Sequence, residues 1–488
     1  MKRSAHKETK SLPSASPTIR LSMLILLDKA ILLLILTLLF LTPLFLIPRI
    51  VTHDTVIHVK NLLAHFTLST LAILSIIRLF FFYGNDAIHH DPVRILLCLF
   101  SIAILISCLL SREVVYSLHH AVFAWSYHLM FLVMPAIFLS KSLRNKKRIG
   151  GNLSFLNKMR IVICFTGFLV AVYGLCQYFE MDFIFKWFRY DIKDKIARNY
   201  IISTIGNPEY LGSYLAPLVL LCLPELLENR HWGIRLLAFV AIIVFISALL
   251  LSGTRGALLA MGAGTIPILV FIYREAHARK RFRILATLGS LGVFMIAFLV
   301  IFSFPNPLNR HNQAILQRFK NLANLHSTSM KERILFYSIG SELITRAPAF
   351  GVGEGMFRVS FYPALEWLSE KDDRGGVSRF LVELKNRVAE NAHNDFLQIW
   401  IENGTVGFLI FTLTMTFLFA QAFSLVFRKT LPLKERRLLG AFSAAALCLF
   451  LNATFSFPMH TPARSALFWC LLGATHSGAL TLISKEPL

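Results

Sequence analysis

The sequence predicts an all-α fold, a polytopic bundle of about twelve transmembrane helices with one large loop carrying amphipathic helices. Three observations predict it. Of the 488 residues, 56% are apolar and only 16% charged, against roughly 25% charged in a soluble domain. Mean hydropathy is +0.62, and the apolar residues fall in blocks of about 20, the length that crosses a bilayer's hydrocarbon core. The formal charge of +23 is concentrated between those blocks, as expected where Lys and Arg crowd the cytoplasmic loops of a membrane protein. This pattern excludes a soluble enzyme, a disordered chain and a disulfide scaffold. It also disfavours a transmembrane barrel, whose segments are about ten alternating residues long. The charge is accounted for without a nucleic-acid partner.

A polar, basic segment opens the chain, and residues 1–29 are expected to form a cytoplasmic tail. The long apolar block behind it has no small-residue cleavage site, so it is not a removed signal peptide. Nine spans are expected within residues 30–304, at 30–48, 61–83, 93–111, 121–140, 161–179, 205–227, 236–252, 256–273 and 284–304. Three more, at 405–427, 438–456 and 465–483, fall within 405–488. Basic clusters at Lys141–Arg148, Arg274–Arg283 and Arg428–Arg437 then share a side with the tail, which places both termini in the cytoplasm. The loop at 180–203 mixes basic residues with Glu180, Asp182, Asp191 and Asp194 and is expected to be a folded outer loop. The seven cysteines all lie within apolar blocks, and no loop carries CxxC or another metal-ligand spacing, so no metal site is indicated.

Residues 305–404 are the expected large outer loop. A polar segment of this length is uncommon unless it is functional. Lys331–Arg346 places Ile334, Leu335, Ile339, Leu343 and Ile344 near one face at helical spacing. Pro348 ends that helix, and Gly351-Val-Gly-Glu-Gly355 is a turn. His393 to Glu402 reads as an interfacial helix stopped by Asn403-Gly404, with the tenth span beyond it.

Several outer-side residues can carry chemistry. Leu251-Ser-Gly-Thr-Arg-Gly256 joins two spans with almost no loop, so Arg255 lies at the membrane boundary on an outward-facing helix N-terminus. Free N–H groups, the helix dipole and a guanidinium would bind an anion there. An arginine snorkelling from a tight turn is the plainer reading. Arg333 reads either as a surface charge or as a second cation at the same level. His393, flanked by Asn391, Asn394 and Asp395, is either a structural polar group or a base suited to proton transfer near neutral pH. Asn207 and Tyr210 lie in a Gly/Pro-broken stretch that either lines a wet cavity or caps an ordinary helix start. Arg464, in the turn after Phe457-Pro, is expected to be topological and structural.

In this order, these motifs resemble the O-antigen ligase superfamily of bacterial inner-membrane glycosyltransferases, which also holds O-antigen polymerases and protein O-oligosaccharyltransferases. The matching pieces are Gly206-Asn-Pro-Glu-Tyr-Leu211, Ser252-Gly-Thr-Arg-Gly-Ala257, Arg333 with Gly351-Val-Gly353, Ala392-His-Asn-Asp-Phe-Leu397, Glu402-Asn-Gly-Thr-Val-Gly407 and Phe457-Pro with Leu467-Phe-Trp469. The resemblance implies a membrane enzyme that needs no cofactor and works at the periplasmic face. It would move a glycan from undecaprenyl diphosphate to an acceptor hydroxyl, foremost that of lipid A-core, with Arg255 and Arg333 holding the diphosphate. His393 would be catalytic, and Asn207, Tyr210, Asn394 and Glu402 would line the site. Glu209 stands where the family often has Asn, and Phe336 or Tyr337 where it has Trp; neither departure is expected to touch the chemistry. A polytopic lipid or anion transporter is the alternative from another class, and it calls for ionisable residues deep in the spans, where Arg78 is the main basic candidate.

Overall fold

The computed structural model describes residues 17–45, 55–81, 91–139, 151–184, 201–228, 231–309, 328–370 and 390–484. Most of the expected tail, residues 185–200 of the 180–203 loop and much of the large loop lie outside the described residues. Among the described residues there are fourteen α-helices, two short 3₁₀ turns and no strand, the all-α architecture expected from the sequence. Five helices come first: α1 (Pro17–Leu44), α2 (Thr55–Phe81), α3 (Pro92–Leu110), α4 (Val114–Leu139) and α5 (Gly151–Tyr178). A second group comprises α6 (Pro208–Glu228), α7 (Trp232–Ser252), α8 (Arg255–Glu275) and α9 (Ala278–Ile301). The shorter α10 (Thr328–Arg346) and α11 (Phe357–Glu370) precede α12 (Asp395–Phe427), α13 (Leu433–Asn452) and α14 (Pro462–Ile483).

Eleven of these helices are long and apolar enough to cross a membrane, which makes the chain a multi-pass membrane protein. The expected span 438–456 falls on α13, which is absent from the eleven. Its first turn carries Lys434, Glu435, Arg436 and Arg437, yet it packs against α6, α8 and α14 like the other helices of the bundle. Helices α6 and α14 are buried on almost all sides and form the centre. At the end away from His393, Glu228 pairs with Lys280 at 2.6 Å and with Arg437, and Glu275 takes Arg436 at 3.1 Å. Arg78 pairs with Asp28 at 2.8 Å inside the bundle, and His476 lies 2.6 Å from Asp91. Lys60 is buried too, donating to the carbonyls of Thr42 and Pro43 that end α1. The bundle therefore holds more ionisable groups than Arg78 alone, each placed against a partner as burial requires.

Helix α12 consists of two helical stretches that meet at Gly404, where φ is 66° and ψ is −174°, so the helix stop expected at Asn403-Gly404 is present and the tenth span begins beyond it. That backbone conformation is essentially restricted to glycine. The kink opens main-chain groups on both sides, and the segment after α10 fills the gap. Val352 and Gly353 donate their N–H groups to the carbonyls of Ile401 and Glu402 at 3.0 and 2.9 Å. In return, Thr405 and Val406 donate to Pro348 and Ala349 at 2.9 and 3.1 Å. A Cβ on Gly351 would lie 2.4 Å from the Glu402 carbonyl oxygen, and one on Gly404 would lie 2.3 Å from that of Ala349. The two glycine motifs of the sequence are thus halves of one backbone joint.

Helix α10 docks on this joint. Its buried face is Leu335, Phe336, Ile339 and Leu343, while Ile334, expected on that face, is half-exposed. Phe336 takes the position instead, packing with Phe357 and Phe361 of α11. Each such buried side chain contributes about 1.5–3 kcal/mol.

Candidate functional site

Three chain segments converge at the end of the bundle where α6 and α8 begin. Asn207 is the N-cap of α6, its Oδ1 accepting from the N–H of Glu209 at 2.8 Å and of Tyr210 at 3.4 Å, which is ordinary capping. In the α7–α8 turn, the Thr254 hydroxyl donates to the Pro208 carbonyl at 2.9 Å, so no side chain caps the first turn of α8. Arg255 sits at that turn, half-buried, with no ion pair or hydrogen bond among the described residues. Its neighbour Gly256 lies so close to Phe455 that a Cβ would come within 2.6 Å of the phenylalanine's own.

Arg333 reaches the same phenylalanine from α10, donating from Nη2 to the Phe455 carbonyl at 2.7 Å. No carboxylate pairs with it among the described residues. Arg333 thus bonds to Phe455 and Gly256, the residue after Arg255, packs on it, and neither arginine has a carboxylate partner among the described residues. Three residues along α10, Phe336 stacks on His393 with ring centroids 5.5 Å apart and planes at 14°. Phe457 meets the same imidazole edge-on at 4.8 Å. His393 has φ +53°, a left-handed conformation that is strained for a non-glycine residue. Its side chain is 38% exposed, and Nδ1 lies 4.0 Å from Glu209 Oε2. Partial burial lowers the His393 pKa below the usual histidine value; Glu209 opposes this and Arg333 reinforces it, leaving a neutral imidazole at pH 7. Both departures from the family pattern thus touch His393, contrary to expectation: Phe336 lies on its face and Glu209 faces its Nδ1.

Behind His393, the chain is fixed by polar contacts. Asn394 caps α12, accepting from the N–H groups of Phe396 at 3.0 Å and Leu397 at 3.2 Å. Asp395, wholly buried, accepts from Met459 N–H at 2.9 Å and lies 2.6 Å from His460 Nδ1. Burial pulls the His460 pKa down, but the adjacent Asp395 carboxylate outweighs it, with help from Glu402 and Glu354, and raises it to about 9. Arg464, fully buried, holds the 456–461 turn by donating to Thr461 Oγ1 at 2.6 Å, Ser456 Oγ at 2.8 Å and the Phe457 carbonyl at 3.2 Å. Its guanidinium lies 4.0 Å over the Tyr210 ring, so Tyr210 supports the turn that carries Phe455 and Phe457. Arg464 is structural, as expected.

Glu402 adjoins this group, in contact range of His460. It is buried on α12, accepting from Phe357 N–H and from Gln398 Nε2, each at 3.2 Å. It faces a cavity of about 380 Å³ between α2, α3, α4 and the start of α12. Glu354, Glu402 and His460 each offer a ligand atom within 4.8 Å of the others, a spacing that could hold a metal ion. Sequence spacing did not reveal this group because its members come from three separate segments. Each is already engaged, Glu354 by Asn403 Nδ2 at 2.9 Å.

The structure thus brings together Arg255, Arg333, His393 and Tyr210, gives Asn207 and Asn394 capping roles at the rim, and sets Glu402 in the adjoining cavity. Sequence reasoning named Asp395 beside His393 but missed Glu209 and His460 as neighbours of this site, for which the sequence around His393 holds no signal. A family model described as O-antigen ligase matches residues 238–412, which include Arg255, Arg333, His393 and Glu402 but stop short of the 453–464 turn. No curated protein matches the chain.

Proposed function

Since this chain belongs, through residues 238–412, to the O-antigen ligase superfamily, we propose that it is a glycosyltransferase of the inner membrane whose site faces the periplasm. It moves a glycan from undecaprenyl diphosphate to an acceptor hydroxyl, first of all that of lipid A-core. The observation that carries this reading is Arg333, bonded to Phe455 without a carboxylate partner among the described residues, with the unpaired Arg255 next to Gly256 on the same phenylalanine and the His393 imidazole stacked on the helix of Arg333. Arginine forks match phosphate oxygens bidentately, and unneutralised ones are open to a diphosphate.

In the reaction, the acceptor oxygen attacks the anomeric carbon as the bond from that carbon to the diphosphate oxygen breaks. The leaving diphosphate gains charge, which the two arginines stabilise. The acceptor proton passes to His393, and attack opposite the leaving group inverts the anomeric centre. Glu209 faces Nδ1, which leaves Nε2 to take the proton and favours the imidazolium that forms. The lipid diphosphate is its own leaving group, so ATP and sugar nucleotides are not needed.

The test uses purified protein with a lipid-diphosphate oligosaccharide. His393→Gln should lower turnover by roughly 10²-fold or more while donor binding stays. Arg255→Ala and Arg333→Ala should weaken donor binding, and lysine should restore little of it. Full turnover in His393→Gln, or unchanged donor affinity in both arginine variants with normal protein levels, would sink the reading.

A further inference from the structure

We infer that the cavity of about 380 Å³ beside the His393 site is a saccharide subsite, which holds a neutral, hydroxyl-rich sugar of the acceptor; this rests on the glycosyl-transfer reading above. The volume lies within the usual range for small-molecule sites, roughly 300–1,000 Å³. Its walls combine two chemistries that suit a pyranose. The rings of Tyr116, Phe123 and Trp469 offer flat apolar faces for the C–H side of a sugar, and Glu354, Glu402 and Asn391 offer polar atoms for its hydroxyls.

The cavity is separate from the arginine pair. Neither Arg255 nor Arg333 lines it, and nearly half of its lining residues come from α2, α3 and α4, which contribute nothing to the Arg255–Arg333 cluster. The carboxylates on its wall, Glu354, Glu390 and Glu402, outnumber the cations Arg358 and His460, so the cavity does not compete with the arginines for the donor's diphosphate. The two regions nevertheless share a partition. Asn391 lines the cavity two residues before His393, and His460 lines it while bonded to Asp395, two residues after His393. A sugar in the cavity is thus held against the segment that carries the proposed base, next to but apart from the arginines, as transfer between two glycans requires.

The experiment is saturation-transfer NMR on the full-length protein in detergent micelles. D-glucose, D-galactose and N-acetylglucosamine serve as sugar probes and inorganic pyrophosphate as the anion probe. At least one sugar should bind, with no competition from pyrophosphate. Ala124→Trp, which fills the cavity from α4 and removes no polar group, should weaken that binding at least tenfold. Glu354→Gln should weaken it as well. Both variants should keep wild-type pyrophosphate binding, which also reports that they fold, and Arg333→Ala should lose it while keeping the sugar. Sugar binding unchanged in Ala124→Trp and Glu354→Gln, sugar displaced by pyrophosphate, or no sugar binding to a protein that binds pyrophosphate overturns the subsite and leaves the diphosphate reading standing. Pyrophosphate binding that survives both Arg255→Ala and Arg333→Ala overturns the diphosphate reading instead.

Discussion

His393 is held by a ring on each side and a carboxylate beyond Nδ1, and none of these neighbours is near it in the sequence. Residue type and position at a membrane boundary made His393, Arg255 and Arg333 candidates beside plainer structural readings, and their proposed roles came from the family resemblance. The contributions of Glu209 and Phe336 were not legible, because they depend on how α6 and α10 meet in space. Glu209 makes a specific prediction. Its charge raises the His393 pKa against the effects of burial and Arg333. In Glu209→Gln that support is lost, so the imidazole stays neutral to lower pH and the acid limb of the pH–rate profile moves to lower pH. Turnover at pH 7 should fall by at most about tenfold, since a half-exposed carboxylate is screened by solvent. An acid limb that stays in place or moves to higher pH would remove Glu209 from the environment of the base.

At the scale of the element, the α12 kink shows what a local signal can and cannot specify. Asn403-Gly404 carried a helix stop, and the backbone does leave helical geometry at Gly404. What the stop could not reveal is its partner: the 348–353 segment, distant in sequence, bonds to both lips of the break. The same limit explains Ile334: heptad-like spacing gave the helix α10, but its exact buried face was set by α11 and the joint. Gly404→Ala would force a Cβ into the Ala349 carbonyl and an L-residue into a glycine-only conformation, at a cost of about 1–3 kcal/mol for the backbone alone. A lower thermal midpoint in detergent is the expected outcome. Gly262→Ala in α8, whose Cβ would meet nothing within 4 Å, should instead be neutral or stabilise by about 0.5–1 kcal/mol. Equal midpoints for the two variants would show that the joint is not rigid.

At the scale of the whole molecule, blocks of about 20 apolar residues located the spans, since bilayer thickness imposes that length directly. Helix α13 shows the complementary case, in which a charged first turn is accommodated by partners such as Glu275 and Glu228 at the bundle's rim. The buried polar groups Asp28, Lys60 and His476 were not legible, because pairing between helices leaves no periodic trace. Sidedness is open to a direct test. In a cysteine-free background, cysteines at Ser327 and Asp372 should react with an impermeant thiol reagent in intact spheroplasts, and one at Asn145 should react only after permeabilisation. The reverse pattern would place the arginine pair and His393 in the cytoplasm. The backbone joint, finally, has a consequence in time. A chain made from its N-terminus produces Pro348–Gly353 well before Ile401–Val406. Until the second set arrives, the first has exposed donors and acceptors with nothing to close on. Insertion of α12 is therefore the event that fastens the loop helix bearing Arg333 to the segment bearing His393, and the candidate site is assembled only when the tenth candidate span is in place.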